Sequence, residues 1–268
     1  MNKFPISPLF IPANKTEWIK KTFEKGTDSI ILDLEDSVPE NEKNQTREDL
    51  YLHLKENDHE GNLIVRVNPI TDETGKEDIK LLTQTDLSIS AFILPKVEDS
   101  ALISELPDIN IIALLETPKS IKNISDIASQ DKVKGLALGG ADLSASLGST
   151  MNWDSLLYAR SKIVLEAAIN GLFSIDSPFM NIEDLDSLRK ESKKAKDLGF
   201  NGKAAIHPSQ LEIIKSSFLP SDEEILEAKE IINAFNLSPS AVISFRGRMI
   251  DQPIICLLYT SPSPRDRG

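Results

Sequence analysis

Short apolar runs in this chain repeatedly end on a side chain that can do chemistry. Ser29-Ile30-Ile31-Leu32 ends on Asp33, followed by Leu34-Glu35-Asp36, and Leu63-Ile64-Val65 runs into Arg66-Val67-Asn68. Ala91-Phe92-Ile93-Leu94 meets Pro95-Lys96, and Ile111-Ile112-Ala113-Leu114-Leu115 meets Glu116-Thr117-Pro118. Leu136-Ala137-Leu138 meets Gly139-Gly140-Ala141-Asp142, and two later runs end on Asp176 and on His207-Pro208. Carboxylates outnumber bases in this set. Clustered carboxylates repel one another unless a cation neutralises them, so a hard divalent ion is expected. His53, His59 and His207 are far apart in sequence, and no Cys/His cluster has zinc spacing. Oxygen donors with few histidines favour Mg²⁺ over Zn²⁺.

Glu116 and Asp142 form the best candidate ligand pair, because they end successive runs and could share one ion. The competing reading is that Glu116 caps the helix after it and Asp142 starts the next. Arg66 sits between Val65 and Val67, which aims it at the mouth of the fold. There a guanidinium can grip a carboxylate at two points. A structural ion pair with Asp33, Glu35 or Asp36 is an equal alternative. Lys96, beside so many carboxylates, should stay protonated, so a structural or electrostatic role is favoured over a Schiff base. His207 is expected to hold a turn before Pro208.

The elements that must position these groups follow from apolar periodicity. Strands are expected near 9–11, 29–32, 63–68, 91–94, 111–115, 136–138, 172–175 and 204–206. Helical patterns lie between them, at 16–25, 42–56, 79–84, 100–105, 120–128, 155–170, 185–198 and 210–217. Continuous apolar strands imply a sheet buried on both faces. Alternating strand–helix units at this length imply a (β/α)8 TIM barrel of α/β class, with its site at the C-terminal strand ends. A doubly wound sheet is disfavoured, since Pro12-Ala13-Asn14-Lys15 after the first strand carries no Gly-rich phosphate fingerprint. Residues 1–218 are assigned to the barrel. Residues 219–255 form a C-terminal helical lid or oligomerisation extension, with a helix over 221–235 and an extended segment at 241–245.

Composition narrows the function classes. The chain has 268 residues, with 42 acidic against 30 basic side chains and a net charge of −12. So acidic a chain is a poor partner for nucleic acid or an anionic membrane. The single cysteine, Cys256, excludes a disulfide framework. No apolar run is long enough for a transmembrane helix, and the first residues do not read as a secretory signal, so a cytoplasmic location is expected.

In this order, six stretches resemble the HpcH/HpaI aldolase and citrate lyase β-subunit family, which includes CoA-ester lyases of citramalyl-CoA and malyl-CoA lyase type. They are Asp33-Leu34-Glu35-Asp36-Ser37-Val38, Arg66-Val67-Asn68, Leu94-Pro95-Lys96-Val97-Glu98, Gly139-Gly140-Ala141-Asp142-Leu143, Gly202-Lys203-Ala204-Ala205-Ile206-His207-Pro208-Ser209-Gln210 and Met249-Ile250-Asp251. The resemblance begins at Ser7-Pro8-Leu9-Phe10-Ile11-Pro12 and ends at Gln252-Pro253. It implies a TIM barrel, trimeric or hexameric, that acts with Mg²⁺ on CoA thioesters of hydroxy acids. By motif, Glu116 and Asp142 become metal ligands and Arg66 the binder of a keto-acid carboxylate. Asp251 becomes an acid/base delivered by a neighbouring subunit. The position before Ser7 is commonly Arg in the family and is Ile6 here. A basic contact near the thioester or the CoA phosphates is therefore lost or replaced.

The expected activity is a Mg²⁺-dependent carbon–carbon lyase. It would cleave or form a malyl-, citramalyl- or citryl-type CoA thioester, with a keto acid and an acyl-CoA as its other partners. The alternatives are a malyl-CoA-type thioesterase, a CoA-independent class II aldolase, or a non-catalytic subunit of a citrate-lyase-like complex. Residues 256–268, beginning Cys256-Leu257-Leu258-Tyr259-Thr260-Ser261-Pro262, resemble the translation of a sequencing-library adapter. They are expected to be artefactual, leaving the extension truncated and unable to pack a helix.

Overall fold

β-branched and apolar residues dominate the runs that precede the chemically active positions, and all but the last of these runs lie in the eight parallel strands. A computed structural model describes residues 5–59, 61–84 and 87–260, with the backbone alone at 257, 259 and 260. The strands are β1 (Leu9–Pro12), β2 (Ser29–Asp33), β3 (Asn62–Arg66), β4 (Ile89–Leu94), β5 (Ile111–Leu115), β6 (Val133–Leu138), β7 (Phe173–Asp176) and β8 (Gly202–Lys203). They pair in sequence order, each parallel to the next. The sheet closes on itself after β8. Lys203 N–H donates to Ile6 O at 3.0 Å, Ala205 N–H to Pro8 O at 2.8 Å, and Phe10 N–H to Ala205 O at 2.9 Å. The result is the (β/α)8 barrel.

Between the strands run α1 (Trp18–Glu24), α2 (Lys43–Glu56), α3 (Glu73–Leu82), α4 (Ser100–Ser104), α5 (Pro118–Lys122), α6 (Ile124–Ala128), α7 (Gly140–Leu147), α8 (Trp153–Asn170), α9 (Leu185–Leu198) and α10 (Leu211–Phe218). The interior layer includes Ile31, Ile64, Ile93, Ile112, Leu114, Phe173 and Ile175, with small Ala137 and Ala204 between them. Large and small residues complement one another there. A Cβ on Gly135 would lie 2.4 Å from the Phe173 ring, so glycine is what lets that ring fill the barrel.

Several boundaries differ from the periodicity reading. The stretch at 120–128 is two helices that break at Asn123, and the helix expected from 79 starts a turn and a half earlier, after Asp72. Gly139 is the N-cap of α7 and Asp142 lies in its first turn, as the competing reading of Asp142 had it. β8 is centred before the apolar Ala204-Ala205-Ile206 run. That run makes the closure instead, through an isolated bridge from Leu9 to Ala205.

The chain divides into two compact units, Met1–Lys215 and Ser216–Gly268. In the second, α11 (Asp222–Leu237) starts on a reciprocal Ser221/Glu224 capping box. A hairpin follows, of β9 (Val242–Phe245) and β10 (Arg248–Asp251). Its turn places Arg246 at φ 49° and Gly247 at φ 78°. Two left-handed residues match the twist of a two-residue hairpin, which explains why Gly follows Arg here. The sequence reading saw only the first of these strands. α12 (Gln252–Thr260) then packs Ile255 and Leu258 into a cluster with Ile231, Phe235, Ile243 and Ile250. The start of the adapter-like segment therefore does form a helix and does contribute an apolar contact. The expectation that it could not is corrected, because Ile254-Ile255 and Leu257-Leu258 share one helical run. Residues 261–268 lie outside the described residues.

Candidate active site

The C-terminal strand ends surround a cavity of about 430 Å³, lined wholly by residues of the first unit. Its polar wall includes Asp33, Arg66, Glu116, Asp142 and the Gly139-Gly140 turn; its floor includes Ile31, Ile93, Leu114, Ala137 and Ala204. Three of the four residues singled out from sequence thus share one space. The fourth, Asp251, ends β10 in the second unit. Its Oδ1 accepts the Ile254 N–H at 3.2 Å and so caps α12.

Arg66 ends β3 next to Asp33 at the end of β2, because the parallel register pairs the two positions. Its Nε donates to Asp33 Oδ1 at 2.7 Å and its Nη2 to Asp33 Oδ2 at 2.8 Å. Nη1 lies 3.1 Å from Glu35 Oε2 and 3.3 Å from Asp36 Oδ2. The ion-pair alternative is therefore present, and with more than one partner. Phe10 covers one side of the guanidinium, 5.1 Å from ring centroid to Cζ. Burial would raise the Asp33 pKa, but the hydrogen bond and charge of Arg66 hold it below the ordinary aspartate value. Glu35 moves the other way, since its burial and the neighbouring Asp36 outweigh Arg66 and Lys96. Phe10 was missed from sequence, because in a three-residue apolar run nothing marks which side chain faces a cation.

Glu116 is 2 % exposed. Its Oε1 accepts the Lys96 N–H at 2.9 Å. On the other side it lies against Gly139, where a Cβ would come within 2.5 Å of Oε2. Burial pushes its pKa up, the charges of Glu35 and Asp142 add to this, and the carboxyl reaches about 8. No cation is paired with it directly among the described residues. Thr117, not Glu116, caps α5, through a reciprocal box with Ser120. The capping alternative for Glu116 is thus set aside, while Asp142 does lie in the first turn of α7.

This arrangement fits a hard divalent ion. A buried carboxylate crowded by like charge, beside a glycine cradle, lacks a neutralising partner. Among the described residues, no group of three or more His, Cys, Asp or Glu is placed to hold a metal. A two-carboxylate set is poor for Zn²⁺ or Ca²⁺. It suits Mg²⁺, which takes one or two carboxylates and keeps its other positions for water and substrate oxygen.

Lys96 follows β4, and its Nζ lies 3.1 Å from Glu35 Oε1. Partial burial lowers its pKa, but the charge of and hydrogen bond to Glu35, with Glu116 and Asp142 behind it, leave it above the ordinary lysine value. A Schiff-base role does not suit a lysine so firmly protonated. His207 Nδ1 meets Ser209 Oγ at 2.7 Å and accepts the Ser209 N–H at 3.2 Å, fastening the turn at Pro208. Asp176 is committed elsewhere. It accepts from Arg160 Nε at 2.8 Å and from Lys203 Nζ at 2.7 Å, all three side chains being buried. Arg160 gave no sequence signal of this role, since it lies inside the long amphipathic helix α8.

The comparisons agree with this geometry. The model of the HpcH/HpaI aldolase/citrate lyase family matches residues 7–208. The chain belongs to that family. It is 31% identical over 276 residues to the mitochondrial citramalyl-CoA lyase of Mus musculus, covering 92% of this chain and 82% of the relative. It is 34% identical over 236 residues to a (3S)-malyl-CoA thioesterase of Cereibacter sphaeroides, covering 85% and 82%. Among solved structures, it resembles the protein CitE from Mycobacterium tuberculosis in complex with magnesium, acetoacetate and coenzyme A. The TM-score is 0.88 at 29% identity, over 97% of this chain and 98% of the other.

Proposed function

We propose that the protein is a Mg²⁺-dependent carbon–carbon lyase. Its substrate would be a malyl-, citramalyl- or citryl-type CoA thioester, split into a keto acid and an acyl-CoA, or formed from them. The observation that carries the reading is the placing, across one cavity, of a cationic fork, Arg66, and a carboxylate pair, Glu116 and Asp142, that makes no direct ion pair among the described residues. A two-oxygen anion and a divalent ion have complementary places there. The citramalyl-CoA lyase relative and the magnesium- and CoA-bound CitE structure support it.

Arg66 would hold the carboxylate of the keto-acid portion and so align the scissile bond. Glu116 and Asp142 would hold Mg²⁺, which supplies Lewis-acid stabilisation of oxygen charge. In cleavage the hydroxyl would give its proton to solvent as the carbon–carbon bond breaks. The bond's electron pair would pass to the carbon alpha to the thioester carbonyl as an enolate, and a protonated Asp251 would protonate that carbon to give the acyl-CoA, then take a proton back from solvent. The floor of Ile31, Ile93 and Leu114 is apolar and would offer water no hydrogen-bond partner at the base of the cavity.

Asp251 would act from a neighbouring copy in a homotrimer or hexamer. Mixing an Asp251→Asn chain with an Arg66→Ala chain should then restore part of the activity, as one intact site assembles from two defective partners. No recovery in verified mixed oligomers would remove the shared-site element. The reaction itself is tested with malyl-, citramalyl- and citryl-CoA and Mg²⁺, following keto acid and free thiol separately. Keto acid without thiol supports the lyase. Thiol without keto acid would favour the thioesterase reading suggested by the Cereibacter relative.

A further inference from the structure

Glu35 is buried between two cations. Its Oε2 lies 3.1 Å from Arg66 Nη1 and its Oε1 3.1 Å from Lys96 Nζ. Lys96 also holds Glu116, through a backbone N–H at 2.9 Å. To do so its backbone takes φ of 53°, a left-handed conformation shared by one other non-glycine residue described, Arg246. Glycine would adopt it without strain, so the backbone role by itself does not account for a lysine. A line of contacts thus runs Asp33–Arg66–Glu35–Lys96–Glu116, from the guanidinium that would grip substrate to the carboxylate that would hold the metal.

We propose that Lys96 is a positioning residue with two separable actions: its N–H orients Glu116, and its ammonium is the resident counter-charge of the acidic mouth. The inference rests on the lyase reading above. The ammonium shares Glu35 with Arg66, which leaves the guanidinium freer for a substrate carboxylate. The same ammonium is a like-charged neighbour for any divalent ion at Glu116 and Asp142. Removing it therefore acts in opposite directions on the two ligands. The divalent ion binds more tightly. The keto acid binds more weakly, because Glu35 then draws on Arg66 alone. A lysine needed merely for structure would weaken both.

The test uses Mn²⁺ as the metal probe and pyruvate as the keto-acid probe, each titrated by calorimetry without turnover. Lys96→Met and Lys96→Gly should lower the Mn²⁺ Kd by roughly threefold or more and raise the pyruvate Kd, at saturating Mn²⁺, by a comparable factor. Both variants keep the N–H that orients Glu116, and glycine also relieves the left-handed backbone, so agreement between the two assigns the effect to the lost charge. Lys96→Arg keeps the charge and should stay near wild type in both. Unchanged or weaker Mn²⁺ binding in the Met and Gly variants would overturn the proposal, as would an Arg variant that behaves like Met. Failure of the wild type to bind Mn²⁺ at all would overturn the lyase reading, and this inference with it.

Discussion

Glu116 and Asp176 are both carboxylates buried at the C-terminal ends of barrel strands, and burial leads them to opposite ends. Asp176 meets two buried cations, Lys203 and Arg160, and Lys203 continues to Glu191 at 2.8 Å. Burial alone would raise its pKa, but those cations hold it below the ordinary value. Glu116 meets a backbone N–H and two like charges, and it is pushed up to about 8. The first region settles its charge inside the chain and braces β7 and β8. The second leaves its charge open, and an open buried charge in a cavity is where an external cation belongs.

The largest expected effect is on the closed region. Lys203→Met leaves Asp176 and Glu191 short of a cation and should destabilise the fold by about 3–5 kcal/mol, as breaking a buried pair does. Urea unfolding measures this, and a loss of only about 0.5 kcal/mol or less, the size of a surface effect, would dissolve the contrast. The sign with pH is also set. Asp176 binds its proton less readily when folded, so its contribution is complete above the unfolded value near 3.8 and is lost as pH falls below it. Relative to Asp176→Asn, the wild type should therefore lose stability selectively in acid.

The next effect belongs to the open region and has a different signature. Glu116→Gln should cut Mg²⁺ affinity by roughly a hundredfold or more, since an amide offers a hard cation no charge. Yet the metal-free fold should be about as stable as wild type near neutral pH, because a carboxyl raised to about 8 is largely protonated there and the amide replaces it with a neutral group of similar shape. A large stability loss in metal-free buffer would make Glu116 a structural group like Asp176. Arg66 stands between the two cases, paired in the chain yet facing the cavity. Arg66→Lys keeps the charge but loses the planar fork, and should cost roughly 1–3 kcal/mol in kcat/KM with modest change in stability. The smallest effect is outside the barrel. Gly247→Ala strains the hairpin turn and should cost about 1 kcal/mol in urea unfolding, with no change in Mg²⁺ affinity.

Sequence by itself determined the barrel, because continuous apolar runs punctuated by charged ends allow few other layered folds. It also brought Arg66, Glu116 and Asp142 to one rim, since alternation of strand and helix places every strand end on the same face. Local signals stopped there. Short elements such as β8, and the break between α5 and α6, depend on partners distant in the chain rather than on periodicity. Only the tertiary structure decided which charges meet. Asp33, Asp176 and Glu116 read alike as acidic strand ends. Arg66 reaches the first from the adjacent strand, Arg160 and Lys203 reach the second from a helix and a strand on either side, and no cation reaches the third directly. Charge compensation is a property of three-dimensional neighbours at a few ångströms. The same side chain in the same local pattern therefore becomes a brace in one place and a ligand in another.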